Sequence, residues 1–134
     1  MKIIPSQIPI ITGDGCPARI SAIADAIYAI GGKWKLPIVL ALAGGNQRFN
    51  DLHRLVQGIS PKVLSSELKE LELNGLIERK VSMAGTQMMV DYELTEYCVT
   101  LHKVLDALSE WGMMHKEKIK QGFREKRQEA ATNN

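Results

Sequence analysis

Little in this chain marks an enzyme or an exported protein. Its 134 residues include two cysteines, Cys16 and Cys98, which form neither a CxxC pair nor a disulfide-dense framework. A domain of this size folds by core burial without such staples, so a reducing, cytoplasmic setting is expected. No apolar run reaches the roughly 18 residues that span a bilayer, and no membrane partner is expected. The opening MKIIPSQIPIITGDG is broken by Pro5, Pro9 and Gly13 and lacks the continuous apolar core, about 7–15 residues, of a secretory signal. HExxH, GxSxG and Walker patterns are missing, and Gly31-Gly32 lacks the spacing of a phosphate cradle. The expectation is no enzyme, no cofactor and no metal. An excess of one charge is missing too: 17 basic residues face 15 acidic ones, so any charged partner must be read from a local patch. A second core would need roughly 100 more residues, leaving one domain.

What is present is a series of amphipathic helices. The segment 1–15 reads as an irregular arm whose isoleucines suggest that it lies on another surface, such as a second subunit. From Pro17, the residues Ile20, Ile23, Ala24, Ile27 and Ile30 recur at helical spacing until Gly31-Gly32. Residues 34–42 are almost wholly apolar and predict a central buried helix ending at Gly44-Gly45. Asn50 then suits the N-cap of a short helix with Leu52, Leu55 and Val56 inward and Gly58 at its end. Ser60-Pro61 supplies a cap and a first-turn proline for a helix with Val63, Leu64, Leu68 and Leu71 on one face. Two helices joined by a short glycine-containing turn make a helix-turn-helix.

Residues 76–81 and 89–94 read as strands of a hairpin turning at Ala84-Gly85-Thr86, which in this position is a wing. Thr95 is expected to cap a final long helix with Leu101, Val104, Leu105, Leu108 and Trp111 on one stripe, continuing to about Phe123. The fold class is mainly α with a small β-hairpin. Its parts are an arm at 1–15, a winged helix-turn-helix and dimerisation domain at 16–122, and a frayed tail at 123–134.

The segments IGGKWKLPIVLAL, RFNDLHRLVQGIS, PKVLSSELKELELNGLIERKV and VDYELTEYCVTLHKVLDALSEWG resemble, in order and spacing, the HxlR-type winged helix-turn-helix regulators of bacteria, of MarR-like architecture. The likeness covers about residues 16 to 112. It implies a homodimeric DNA-binding transcriptional regulator, held together by its N-terminal segment and its long C-terminal helix, with residues 61–74 as recognition helix. Two-fold symmetry then implies a near-palindromic operator in double-stranded DNA.

The recognition helix presents Ser60, Lys62, Ser65, Ser66 and Lys69 away from its leucine face, polar side chains near a helix N-terminus as groove reading requires. Arg48 and Arg54 flank the preceding helix as candidate phosphate contacts. Arg79 and Lys80 on the first wing strand are candidates of the same kind, and Gln87, with Thr86, is placed to hydrogen-bond a phosphate or base edge. Where many members of the family carry a wing arginine, this chain has Met88-Met89, so minor-groove reading by arginine is not expected; Met83, Met88 and Met89 read as packing residues. The other reading of such a chain is a winged-helix protein-interaction module without DNA binding.

Cys16 stands directly before Pro17 at the start of the first helix, where the helix dipole favours a thiolate. The resemblance implies that a cysteine here can sense oxidants or electrophiles, and the alternative is a small residue at the dimer interface. A small-molecule or oxidant effector is thereby included among the partners. Cys98 occupies a place where the family more often has glycine; it is four residues from His102, but with no third ligand the pair reads as a buried cysteine and not a metal site. Trp34 and Trp111 read as packing anchors, and His53 and His115 as surface groups.

Overall fold

A computed structural model describes residues 16–133, with side chains from residue 17 onward. The expected arm at 1–15 lies outside the described residues. The chain divides into two compact units, one ending at Glu96 and the other beginning at Tyr97.

In the first unit, α1 spans Cys16–Ile30, α2 Lys35–Ala43, α3 Phe49–Leu55 and α4 Pro61–Leu73. The strands β1, Ile77–Ala84, and β2, Gln87–Leu94, follow. Ile38 of α2, Leu52 of α3, Leu64, Leu68 and Leu71 of α4 and Ile77 of β1 are fully buried and form the core. Removing side chains of this size from water contributes about 1.5–3 kcal/mol each, and the convergence of four elements on one core sets how α4 is held. The apolar face of α1 behaves differently: Ile20, Ile23 and Ile27 are exposed, and only Ile30 at its end is buried.

The helix ends follow their local chemistry. Ser60 has extended backbone, and its hydroxyl accepts from the Val63 N–H at 3.2 Å, with Pro61 in the first turn. At the other end of α4 the Leu76 N–H reaches the Leu71 carbonyl and the Gly75 N–H that of Glu72, both at 3.0 Å. This is a Schellman stop, and it requires the left-handed φ of 74° that Gly75 adopts. The expected cap at Asn50 is corrected: α3 starts two residues earlier, because the Leu52 N–H already bonds the Arg48 carbonyl at 3.0 Å, and Arg48 occupies the cap position with no capping bond from its side chain.

The hairpin is antiparallel and in register from Ile77 opposite Leu94 to Ala84 opposite Gln87. Its strands run longer than expected, leaving a two-residue loop in which Gly85 has φ 67°. Positive φ at the first loop residue is the type II′ arrangement, whose twist matches that of the strands. Only Ile77 of β1 is buried, so the hairpin projects as a wing anchored at its base. There Gln47 and Tyr92 exchange backbone hydrogen bonds of 3.0 and 2.8 Å, adding a short third pairing beside β2.

A 3-10 turn, Glu96–Leu101, begins at the last residue of the first unit and is followed in the second by α5, His102–Thr132. Helix α5 therefore begins beyond the 3-10 turn and not directly after Thr95: Leu101 occupies its cap position with no side-chain cap bond, and the Thr95 hydroxyl donates to the Gly75 carbonyl at 2.6 Å. Helix α5 also continues through residues 123–132, where a frayed tail was expected. REKRQEAA consists almost wholly of strong helix formers, which sustain a helix without burial. No residue of α5 is buried, and Val104, Leu108, Trp111, Ile119 and Phe123 stand exposed along it.

Candidate nucleic-acid interface

The turn between α3 and α4 runs through Gly58, whose φ of 88° lets the chain reverse direction. It leads into Ser60, so the first turn of α4 begins at a fixed angle to α3. The leucine stripe of α4 is pinned in the core, and the opposite side carries Lys62, Ser65, Ser66 and Lys69, all exposed. The structure thus brings these four residues together on one polar face. Ser60, at the start of that face, is engaged as the cap.

The five outlying candidates separate into two groups. Arg48 turns toward the wing, with its Nε 3.6 Å from Asp91 Oδ1 and its Nη2 3.5 Å from the Met89 sulfur. Arg54 is paired with Asp51 one turn earlier in α3. Lys80 reaches diagonally across the hairpin to Glu93, whose hydrogen bond and charge push the ammonium pKa up. Arg79 and Gln87 are exposed on the wing. Among the described residues no carboxylate pairs with Lys62, Lys69 or Arg79, so these cations face solvent with their charge uncompensated.

Lys35 escaped the sequence reading. It is buried at the start of α2, and its Nζ lies 2.8 Å from Glu67 Oε2 and 2.6 Å from Glu70 Oε2 on α4. Burial by itself lowers the pKa of such an ammonium, but the hydrogen bonds and charges of Glu67 and Glu70 outweigh it and the pKa is raised. A visible signal existed: a lysine inside the apolar run KWKLPIVLAL, and two glutamates three apart on the next long helix.

The remaining candidates fall outside this surface. The side chain of Cys16 lies outside the described residues, although its backbone opens α1. Cys98 is buried, and desolvation pushes its thiol pKa up. His102 points its Nε2 to Asp106 at 3.2 Å, and no group of three metal-ligating side chains exists among the described residues. Trp34 is half-buried, with the Lys33 ammonium 4.8 Å from its ring centroid. Trp111 is 58% exposed and stacks on His115 at 4.8 Å, so within one chain it anchors no core.

The family model described as HxlR-like helix-turn-helix matches residues 29–120. The chain belongs to the HxlR-like helix-turn-helix family. The HTH-type transcriptional regulator YtcD of Bacillus subtilis is 38% identical over 98 residues, 73% of this chain and 77% of that protein. Among solved structures, the redox regulator HypR in its reduced form superposes with a TM-score of 0.66 at 30% identity, covering 75% of this chain and 98% of HypR. The quinone-bound YodB of B. subtilis superposes with a TM-score of 0.60 at 30% identity, covering 70% of this chain and 98% of YodB. This HxlR-like chain is accordingly a winged-helix, DNA-binding transcriptional regulator. The family is one of regulators and not of enzymes. No single helix among the described residues is long and apolar enough to cross a membrane.

Proposed function

We propose that this HxlR-like protein is a homodimeric, sequence-specific regulator that inserts α4 into the major groove of a near-palindromic operator. The observation that carries this reading is the exposed polar face of α4, Lys62, Ser65, Ser66 and Lys69, set opposite a fully buried leucine stripe and started by a capped first turn. Serine hydroxyls at these places can donate to or accept from base edges, and the uncompensated lysines suit phosphate or guanine. Arg79 and Gln87 extend the contact along the wing, whereas Arg48, Arg54 and Lys80 are already engaged by Asp91, Asp51 and Glu93 and contribute less. Phosphate contacts supply most of the affinity, and the polar face of α4 supplies the choice of sequence.

The homodimer is supported by apolar side chains that one chain leaves open to water: Ile20, Ile23 and Ile27 on α1, and Leu108, Trp111 and Phe123 on α5. Apolar exposure of this extent along two helices is what a second copy buries. Cys16, the first residue of α1, is the proposed sensor residue, because the start of a helix favours the thiolate that reacts with oxidants or electrophiles. HypR is a redox regulator and YodB has a quinone-bound form, which supports an effector of that class here. Addition of the thiolate to a quinone carbon would form one C–S bond, with a proton taken up to leave the hydroquinone adduct. Fluorescence anisotropy on DNA from upstream of the protein's own gene, against scrambled DNA and across a salt series, tests the reading. Preferential binding that weakens steeply with salt supports it, and equal feeble binding to every genomic fragment tried opposes it.

A further inference from the structure

Helix α4 is an unusual surface to offer to a polyanion. Against Lys62 and Lys69 it carries Glu67, Glu70 and Glu72, and a free carboxylate beside a phosphate opposes binding. Glu70 is four residues beyond Ser66, so on a helix it lies on the same side as the polar face, and its side chain is 51% exposed. What holds Glu70 and Glu67 to the flank is Lys35, entering from α2 with 2.6 and 2.8 Å contacts to the two carboxylates and with only 9% of its own side chain exposed.

We propose that Lys35 is a positioning residue for DNA binding: it draws Glu67 and Glu70 toward α2, offsets part of their charge, and holds their carboxylates away from the groove-facing side of α4. The inference rests on α4 being the recognition helix. Lys35 itself touches no DNA in this account. It acts through the two glutamates, and the leucine stripe independently holds the helix in the core. Consequently the charge of Glu70 should matter to DNA only when Lys35 is gone.

The test compares two variants that differ at one exposed position, K35M/E67Q and K35M/E67Q/E70Q, with wild type and E70Q as the matching pair. Replacing Glu67 together with Lys35 leaves no deeply buried charge alone, so both variants are expected to fold. The probe is the duplex that wild-type protein selects from a random-sequence pool, with a scrambled duplex beside it, and thermal melting is recorded for each variant. In the Lys35-free background, restoring neutrality with E70Q should tighten binding by about tenfold, equivalent to about 1.4 kcal/mol. In the wild-type background E70Q should change affinity by less than about twofold, about 0.4 kcal/mol. The melting temperatures of K35M/E67Q and K35M/E67Q/E70Q should agree, which separates positioning from a purely structural role. An E70Q effect of equal size in both backgrounds overturns the proposal, as does K35M/E67Q binding as tightly as wild type. K62A/K69A serves as the control on the underlying reading: unchanged affinity there means that α4 is not the recognition helix, whereas lost affinity there combined with equal E70Q effects condemns the Lys35 proposal alone.

Discussion

Arg48 Nε lies 3.6 Å from Asp91 Oδ1, so the residue that starts α3 is tied to the second wing strand. Beside it, the backbones of Gln47 and Tyr92 are paired. The wing is therefore held at its base by both a backbone bridge and a side-chain pair. Because Arg48 and Asp91 are both substantially exposed, a double-mutant cycle on stability should return a coupling below about 1 kcal/mol. R48A should weaken operator binding less than K62A or K69A does, and each of those lysine variants should lower the slope of log affinity against log salt by about 1. Equal losses from R48A and K62A would show that Arg48 leaves Asp91 to meet phosphate.

Loss of the α4 cap should be measurable without DNA. S60A removes the hydroxyl that accepts from Val63 N–H and should lower stability by about 1 kcal/mol, read as a shift of the urea midpoint with unchanged slope. L68A, at a fully buried position, should cost about 2–5 kcal/mol. A larger loss for S60A than for L68A would contradict the picture of a helix held mainly by its leucine stripe.

The Lys35 pair predicts alkaline behaviour. Its pKa is raised in the folded state above the ordinary 10.5, so its contribution to stability is complete below that value and is lost as pH rises through the folded one. The melting temperature should hold steady through neutral pH and then fall at the alkaline end, more steeply in wild type than in K35M/E67Q/E70Q. Removing Lys35 alone should cost about 3–5 kcal/mol, because two carboxylates then lose their counter-ion. Parallel alkaline melting curves for the two proteins would assign the loss to other groups.

The two thiols should be distinguishable by alkylation. Burial raises the pKa of Cys98, so in a C16S variant its reaction with iodoacetamide at neutral pH should be slower than that of a model thiol and should accelerate in urea. In C98S, Cys16 should react faster than the model thiol if it is the sensor. Slow reaction of Cys16 would leave it a structural residue of α1.

Most of the fold was legible because its boundaries are written in backbone chemistry. Ser60-Pro61, Asn74-Gly75 and Gly31-Gly32 each mark a helix end by a hydrogen bond or by a backbone angle that those residues favour. Thr95 misled about where α5 starts, since the 3-10 turn Glu96–Leu101 stands between it and the long helix. The tail misled for a different reason: helix propensity in REKRQEAA needs no apolar face to act. Within the candidate site, the polar face of α4 could be read from spacing alone. That Arg48, Arg54 and Lys80 are already paired could not, because two of those pairs join separate elements and the third depends on side-chain geometry. Lys35 stood out as a lysine inside an apolar run, but its pairing fell under the same limit, its partners lying on a helix more than thirty positions away.

The homodimer has its own direct check. Replacing Leu108 by glutamate puts a charge into the exposed apolar line of α5 and should shift the molecular mass in solution from dimer to monomer, with operator affinity falling because two half-sites are no longer read together. A monomeric wild-type protein that binds its operator tightly would remove the symmetric account.

The central claim is that α4 reads DNA through the face bearing Lys62, Ser65, Ser66 and Lys69, and the most direct test is anisotropy of wild type and K62A/K69A on the selected operator and its scrambled form across a salt series. The account predicts that the double variant keeps its dimeric mass and melting temperature, loses at least about tenfold in operator affinity, and shows a shallower salt slope. Wild-type affinity and slope in K62A/K69A would contradict it.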